Sequence, residues 1–274
     1  IVLNEDFGYL FAVNAGSKNE PCILKQRYVP KTTRQRRVKK IILIGKGVLF
    51  DTGGHDLKGA DGYNNMHYDM AGAATVCAIP FLAQKFNLPV EIVTLTPIVE
   101  NMIGKNATLP GSIIQAYGGM TVNVVNTDSE GRLILAEMIA YAEKNNPDAV
   151  ITVGTLGDMT DFAPDMLKVG TYGKGTVRKT LRARKLSAEK MLLLPPIEDF
   201  NNVDEEHIGT HSDIVNDMRQ YHSAPFVFLF NFFKTEMPWF FIDNSALFEN
   251  DAHDYGAGPG FGVKFIWEIV RQYA

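Results

Sequence analysis

The sequence predicts an α/β fold, a mixed, mostly parallel sheet sandwiched by helices. Three observations predict it. Short continuous apolar runs alternate with helical stretches as far as residue 155, which is the pattern of strand–helix–strand units. Glycines such as Gly45, Gly47, Gly53 and Gly54 follow or flank those runs, permitting tight turns and close backbone approach. Charged side chains gather in the same turns, at the carboxyl ends of the runs, where open α/β sheets keep their ligands. A chain of 274 residues, 46% hydrophobic and 21% charged, supplies a sizeable core. The formal net charge of -4 gives no electrostatic case for nucleic acid or an anionic membrane as the main partner. No apolar run reaches transmembrane length and no signal peptide opens the chain. Cys22 and Cys77, each in an apolar stretch, are too few for a disulfide framework. A reducing, cytoplasmic location is therefore expected.

Taken in order, residues 9–14 and 21–28 read as two strands joined by a turn over 15–19. The basic segment from Lys31 to Lys40 follows as a solvated hairpin connection, although Arg34, Arg36 and Arg37 would also suit an anion. Residues 41–44 form a buried strand, and residues 45–58 a single glycine-rich loop. Gly45-Lys46-Gly47 is not a phosphate-binding loop, because the spacing before the lysine is wrong and no Ser or Thr follows it. After Asp69, small residues from Ala71 to Ala74 suit a helix packed tightly on the sheet, continuing to about residue 85 with a kink at Pro80. Residues 91–97, 112–115, 121–125 and 149–153 are further strands. A loop spans 101–111, and a helix spans 133–142. The span 168–190, rich in lysine and arginine, reads as a solvated loop and helix. The phenylalanine-rich run 224–233 reads as core, with an altered subunit interface as the alternative.

The chemistry centres on Asn126-Thr127-Asp128-Ser129-Glu130-Gly131-Arg132-Leu133, a turn between a strand and a helix. Asp128 and Glu130 are two apart and can face one point, where they repel unless a cation or proton lies between them. Arg132 could neutralise one, and a divalent metal both. Read by itself, the stretch is equally a helix start, with Thr127 or Asp128 as N-cap. Asp51 and Asp69 lie in comparable turns upstream. Four carboxylates meeting at one sheet edge would suit divalent zinc, manganese or magnesium, and two such ions form a general clamp for hydrolysis. His55 and His67 are left out, since lone loop histidines are commonly surface residues.

These residues resemble a known family. Lys46, Asp51-Thr52-Gly53-Gly54, Lys58, Asp69-Met70-Ala71-Gly72-Ala73-Ala74 and Asn126 to Leu133 look like the leucyl aminopeptidase (cytosol aminopeptidase) family of two-metal exopeptidases, at that family's spacing. The resemblance is strongest from residue 41 to 142. It implies a tighter metal site of Lys46, Asp51, Asp69 and Glu130, and an exchangeable one of Asp51, Asp128 and Glu130. A ligating lysine must be neutral, which a neighbouring dication can bring about. The resemblance further implies that Lys58 stays charged and polarises the scissile carbonyl. Arg132 would hold a bicarbonate, the proposed acceptor of the attacking water's proton. Met66, Asn126, Thr155 and Leu156 would bind substrate, Met66 as a wall suited to leucine-like side chains. Peptides with a free N-terminus would be the substrates, and a homo-oligomer, by resemblance a hexamer, the assembly.

The departures lie downstream. Gly154-Thr155-Leu156-Gly157-Asp158-Met159 replaces a turn that in the family is small and uncharged there, with Asp158 expected to point to solvent. Asp213-Ile214-Val215-Asn216 resembles a family segment whose following small-residue helix is replaced by the aromatic run. Residues 238–243 look like the family's last strand, and 258–263 with a helix to Tyr273 like its closing element. The whole chain, 1–274, is expected to be one metallo-aminopeptidase catalytic domain, N-terminally truncated relative to the family and lacking its separate N-terminal domain. A catalytically impaired relative with a structural or scaffolding role is the alternative, and nucleic-acid binding, for which only the basic segment near Arg36 speaks, a weaker one.

Overall fold

Ile41, Ile42, Leu43 and Ile44 are all fully buried, which requires that both faces of their strand be covered. The computed structural model describes residues 6–31, 37–157, 163, 165–200, 211–217, 224–245 and 260–274. In it this run is the middle of an eight-stranded sheet. The strands are β1 (Cys22–Tyr28), β2 (Lys39–Gly45), β3 (Gly47–Asp51), β4 (Val90–Asn101), β7 (Ala149–Gly154), β8 (Leu167–Tyr172), β9 (Met191–Leu193) and β11 (Trp239–Asp243). Their spatial order is β1-β4-β2-β7-β11-β8-β9, with β3 paired to the far half of β4. The central strands β4, β2, β7 and β11 are mutually parallel, whereas β1 and β8 join antiparallel. The fold is therefore α/β with a mixed, mostly parallel sheet.

Alternation along β2 divides the core in two. Ile42 and Ile44 share one core with Val93, Val150, Trp239 and Phe241. That face is covered by α1 (Gly8–Asn14), α4 (Glu130–Glu143) and α6 (Ala224–Phe230). Ile41 and Leu43 share the other core with Ile92, Ile151, Phe240 and Ile242. There α2 (Ala71–Cys77), α3 (Ile79–Lys85), α5 (Thr176–Ser187) and α7 (Val263–Val270) cover the sheet. A small sheet of β5 (Ser112–Gln115), β6 (Thr121–Val124) and β10 (Ile214–Val215) stands apart. The aromatic run is core as expected. Phe226 stacks on Trp239 at 5.1 Å between centroids, over Gly170, where an added Cβ would lie 2.5 Å from the Phe226 ring.

The site-bearing feature is the position of β2 between β4 and β7. The chain leaves β2 toward one side and returns on the other, so the carboxyl end of β2 is a topological switch point. Small residues bring α2 down onto that end. A Cβ at Gly72 would lie 2.4 Å from the Val153 carbonyl oxygen, and one at Gly45 would lie 2.6 Å from the Gly72 carbonyl oxygen.

Several expectations are corrected. Residues 9–14 belong to helix α1. Tyr9, Leu10 and Val13 are buried at helical spacing, and the distant Glu137 carboxylate accepts from the Tyr9 and Leu10 N–H groups at 3.1 and 2.8 Å. The basic segment does not close a hairpin, because β4 lies between β1 and β2 and pairs with both. Arg37 and Lys39 pair with Asp148, while Arg34 and Arg36 lie outside the described residues. The loop 45–58 contains β3, which borrows hydrogen bonds from the long β4. The helix over 71–85 is split into α2 and α3, with Pro80 in the first turn of α3, where it costs no hydrogen bond. Helix α4 begins at Glu130, three residues before its predicted start. The span 168–190 opens with β8, whose Lys168 is buried between β11 and β9, and only its helix fits the prediction. Cys22 is exposed on β1.

Glu137 ties α4 to α1 and also accepts from the Tyr117 N–H at 3.0 Å. Burial pushes its carboxyl up to about 7 against the lowering effect of those three N–H donors. Glu137→Ala leaves these donors without their acceptor and is expected to cost about 2–4 kcal/mol in urea unfolding. A carboxyl raised on folding adds stability at low pH that is lost as pH rises through its folded value. The cost of Glu137→Ala should accordingly be greater at pH 5 than at pH 8.

Candidate functional site

Lys46 directly follows β2 and is held in the main chain by its N–H to the Val153 carbonyl, 2.9 Å. Its side chain is buried, and Nζ lies 2.7 Å from Asp69 Oδ1, 2.8 Å from Glu130 Oε1 and 2.8 Å from the Thr155 carbonyl oxygen. Asp51 ends β3, and Lys58 Nζ lies 2.9 Å from its Oδ2 and 2.5 Å from Asp128 Oδ1. Oxygens of Asp51, Asp128 and Glu130 all lie within 4.8 Å of one another. Two lysines thus bridge four carboxylates. Arg132, a candidate in the sequence to neutralise one carboxylate, donates from its Nη1 to the Asn216 carbonyl, 3.0 Å.

The local chain explains the convergence. Gly53 and Gly54 take positive φ of 88° and 65° directly after Asp51 and Thr52, so the chain turns back and Lys58 N–H reaches the Thr52 carbonyl at 3.0 Å. Asn126 Oδ1 accepts from the Asp128 N–H at 2.8 Å, an Asx turn that aims Asp128. Glu130 and Arg132 occupy the first turn of α4, with Gly131 between them. A Cβ at Gly131 would lie 2.5 Å from Lys46 Cε, so glycine there makes room for the lysine stem.

A cavity of about 450 Å³ opens over this cluster. All the candidate residues of the sequence reading line it: Lys46, Asp51, Lys58, Met66, Asp69, Asn126, Asp128, Glu130, Arg132, Thr155 and Leu156. Thr155 Oγ1 donates to Asp69 Oδ1 at 2.6 Å, and the Leu156 side chain packs against the core. His55 and His67 do not line it, and His67 rests on Tyr68. Asp158 lies outside the described residues.

Sequence reasoning missed several supports. Asn101, at the end of β4, donates to Asp51 and to the Thr127 carbonyl. Asn216 is fully buried and clasps the turn before Asp128, accepting from the Val125 and Asn126 N–H groups and donating to the Asn126 carbonyl. Asp217 accepts from Asn126 Nδ2 at 2.8 Å. Ser245, beside Asp243 at the end of β11, accepts from the Gly157 N–H at 2.7 Å. Asn101 sits at the carboxyl end of a strand, the same signal that marked Asp51, but it carries no charge to draw attention.

The electrostatics show a site short of positive charge. Burial pushes the Asp69 carboxyl up to about 8, with Lys46 opposing and Glu130 and Asp51 adding to the rise. Burial, together with Glu130 and Asp51, pushes Asp128 up to about 7 in spite of Lys58. Glu130 is raised for the same reasons. Burial would lower the Lys46 and Lys58 ammonium groups, yet the surrounding carboxylates outweigh it and hold both above their ordinary values. Asp69 Oδ2 is buried without a hydrogen-bond partner among the described residues. Hard oxygen donors, crowded and under-neutralised, with one buried oxygen unpartnered, fit divalent cations.

The family model described as the cytosol aminopeptidase family, catalytic domain, matches residues 2–267. A probable cytosol aminopeptidase of Chlorobium luteolum is similar at 35% identity, covering 97% of this chain and 53% of the relative. One of Rhodococcus opacus is similar at 31%, covering 98% of this chain and 54% of the relative. Another, of Rhodococcus erythropolis, reaches 44% over 150 residues, 55% of this chain and 29% of the relative. The chain thus spans about half the length of the curated relatives it matches.

A cation favours the ionised forms of Asp69 and Asp128, whose carboxyls burial has raised. Manganese uptake by the metal-free protein is therefore expected to tighten from pH 6 to pH 8 and to release protons. Calorimetry in buffers of different ionisation heat checks this, and a pH-independent affinity would contradict it.

Proposed function

The chain belongs to the cytosol aminopeptidase family, as its catalytic domain, and from that premise we propose that it acts as a two-metal aminopeptidase removing the N-terminal residue of peptides. The observation that carries the proposal is the cluster of buried Asp51, Asp69 and Glu130 with half-buried Asp128, under-neutralised by Lys46 and Lys58 at the floor of the cavity. Its closeness to a set of metal ligands supports Lys46, Asp51, Asp69, Asp128 and Glu130 as the residues that would hold two divalent ions, zinc, manganese or magnesium. When bound, such a pair supplies Lewis acidity toward the scissile carbonyl and toward the attacking water.

The chain's own groups then divide the remaining work. Lys46 would hold a cation only as the neutral amine, its proton passing to solvent as the dication takes over the neutralising of Asp69 and Glu130. Asp69 anchors the free α-amine of the substrate, which confines cleavage to the terminus. Lys58 stays charged and donates to the oxygen of the scissile carbonyl as negative charge develops there. Arg132 would hold a bicarbonate, which would supply a base for the proton of the attacking water. Asn126 and Thr155 orient the peptide, and Met66 and Leu156 form an apolar wall suited to a leucine-like first side chain. No helix among the described residues is long and apolar enough to cross a membrane. We assign a cytoplasmic location and a homo-oligomer, a hexamer by resemblance, as part of the same reading.

The test is hydrolysis of a leucyl amide by the purified protein with manganese or zinc and bicarbonate present. Turnover is expected. Lys58→Ala should lower kcat about 10²- to 10³-fold with metal content retained, whereas Asp128→Ala or Glu130→Ala should lose metal and turnover together. Metal bound without turnover would overturn the enzyme reading in favour of a structural relative.

A further inference from the structure

We propose that Asn101 is a positioning residue of the metal site, fixing which oxygens of Asp51 and Glu130 are presented to the bound cations. The proposal rests on the reading of the cluster as a metal site and adds a residue that this reading does not contain. Asn101 is the last residue of β4 and is 4% exposed. Its main chain is pinned, since its carbonyl accepts from Thr52 N–H and from Thr52 Oγ1, both at 2.9 Å. The side chain therefore has a fixed origin, at the same sheet edge as Lys46.

From there Nδ2 donates to Asp51 Oδ1 at 2.8 Å and to the Thr127 carbonyl at 3.0 Å, and lies 3.4 Å from Glu130 Oε2. All three neighbours are acceptors, so only the NH₂ group can face them and the amide orientation is determined. Asp51 Oδ1 also accepts from the Gly53 N–H at 2.9 Å. With two N–H donors on Oδ1, the oxygen left to a cation is Oδ2, now 2.9 Å from the Lys58 ammonium. Glu130 is divided in the same way. Its Oε2 faces Asn101, and its Oε1 faces the Lys46 ammonium at 2.8 Å.

The ammonium nitrogens mark where positive charge settles in the chain alone, and Asn101 stands on the opposite side of both carboxylates. The residue type follows from this placement. A lysine or arginine would neutralise the carboxylates and compete with the metals. A leucine would take one of the two N–H donors from Asp51 Oδ1, leaving the Gly53 N–H alone to hold it, and would strand the Thr127 carbonyl, which belongs to the turn that aims Asp128. A neutral donor orients without discharging, and partners of this kind tune metal affinity through the ligands they hold.

The experiment measures manganese affinity by competition with a chelator for the wild type, Asn101→Leu, Asn101→Ala and Glu100→Gln. Glu100 precedes Asn101 and binds Ser17 and Asn19 away from the cluster, so its variant loosens the same strand end without touching the site. Asn101→Leu and Asn101→Ala, folded by circular dichroism, should bind manganese about 10- to 100-fold more weakly. Glu100→Gln should match the wild type. Equal affinity in the wild type and both Asn101 variants would overturn the proposal alone, and a wild type that binds no manganese would overturn the metal reading with it. Should neither Asn101 variant fold, a manganese-loaded crystal of the wild type decides. Asp51 Oδ2 toward the metal with Oδ1 on Asn101 is expected, and Oδ1 toward the metal would refute it.

Discussion

Mutual repulsion among buried carboxylates is the constraint on which the rest of this structure depends. Asp51, Asp69 and Glu130 are each at most 4% exposed, and Asp128 joins them at the cavity floor. Such a group does not assemble by itself, because every member raises the cost of ionising the next. In the chain alone two lysines hold it together, each shared between two carboxylates. The compensation is incomplete, as the upward shifts of Asp69 and Asp128 show. A cluster maintained in that state is the signature of a functional site more than of a stabilising one.

The sheet provides what the cluster needs. Parallel strands end together, so Lys46 after β2, Asp51 at the end of β3, Asn101 at the end of β4 and Thr155 after β7 arrive at one edge without long loops. The switch in strand order beside β2 opens the crevice there. Backbone-to-backbone contact at Gly45 and Gly72 lowers α2 onto the sheet and brings Asp69, just ahead of it, over Lys46. The uncharged residues Asn101, Asn216 and Ser245 then occupy main-chain groups that would otherwise be left free behind the charges.

The charged part of the candidate site was legible in the sequence because charge at a strand end is a local signal. Asp51 and Asp69, and the pair Asp128 and Glu130, stood in glycine-rich or helix-opening turns, and the family resemblance supplied Lys46 and Lys58 at matching spacing. The α/β class was legible from runs such as Ile41 to Ile44 for the same reason. What was not legible depends on partners far away in the chain. Helix α1 is capped by Glu137, 128 residues later, so its short apolar stretch looks like a strand in isolation. The hairpin expectation failed because β4 inserts between β1 and β2, and β8 was hidden by Lys168, a charged residue buried in a strand. Asn101 and Asn216 escaped notice because an amide reveals its role only through the groups that it touches.

The central claim is that this cluster is built for cations, and counting them tests it most directly. Equilibrium dialysis of the purified chain against manganese should give two ions per chain for the wild type and fewer for Asp128→Ala. A wild type that retains no manganese at any concentration compatible with folding would contradict the account, and the carboxylate cluster would have to be explained by its lysines alone.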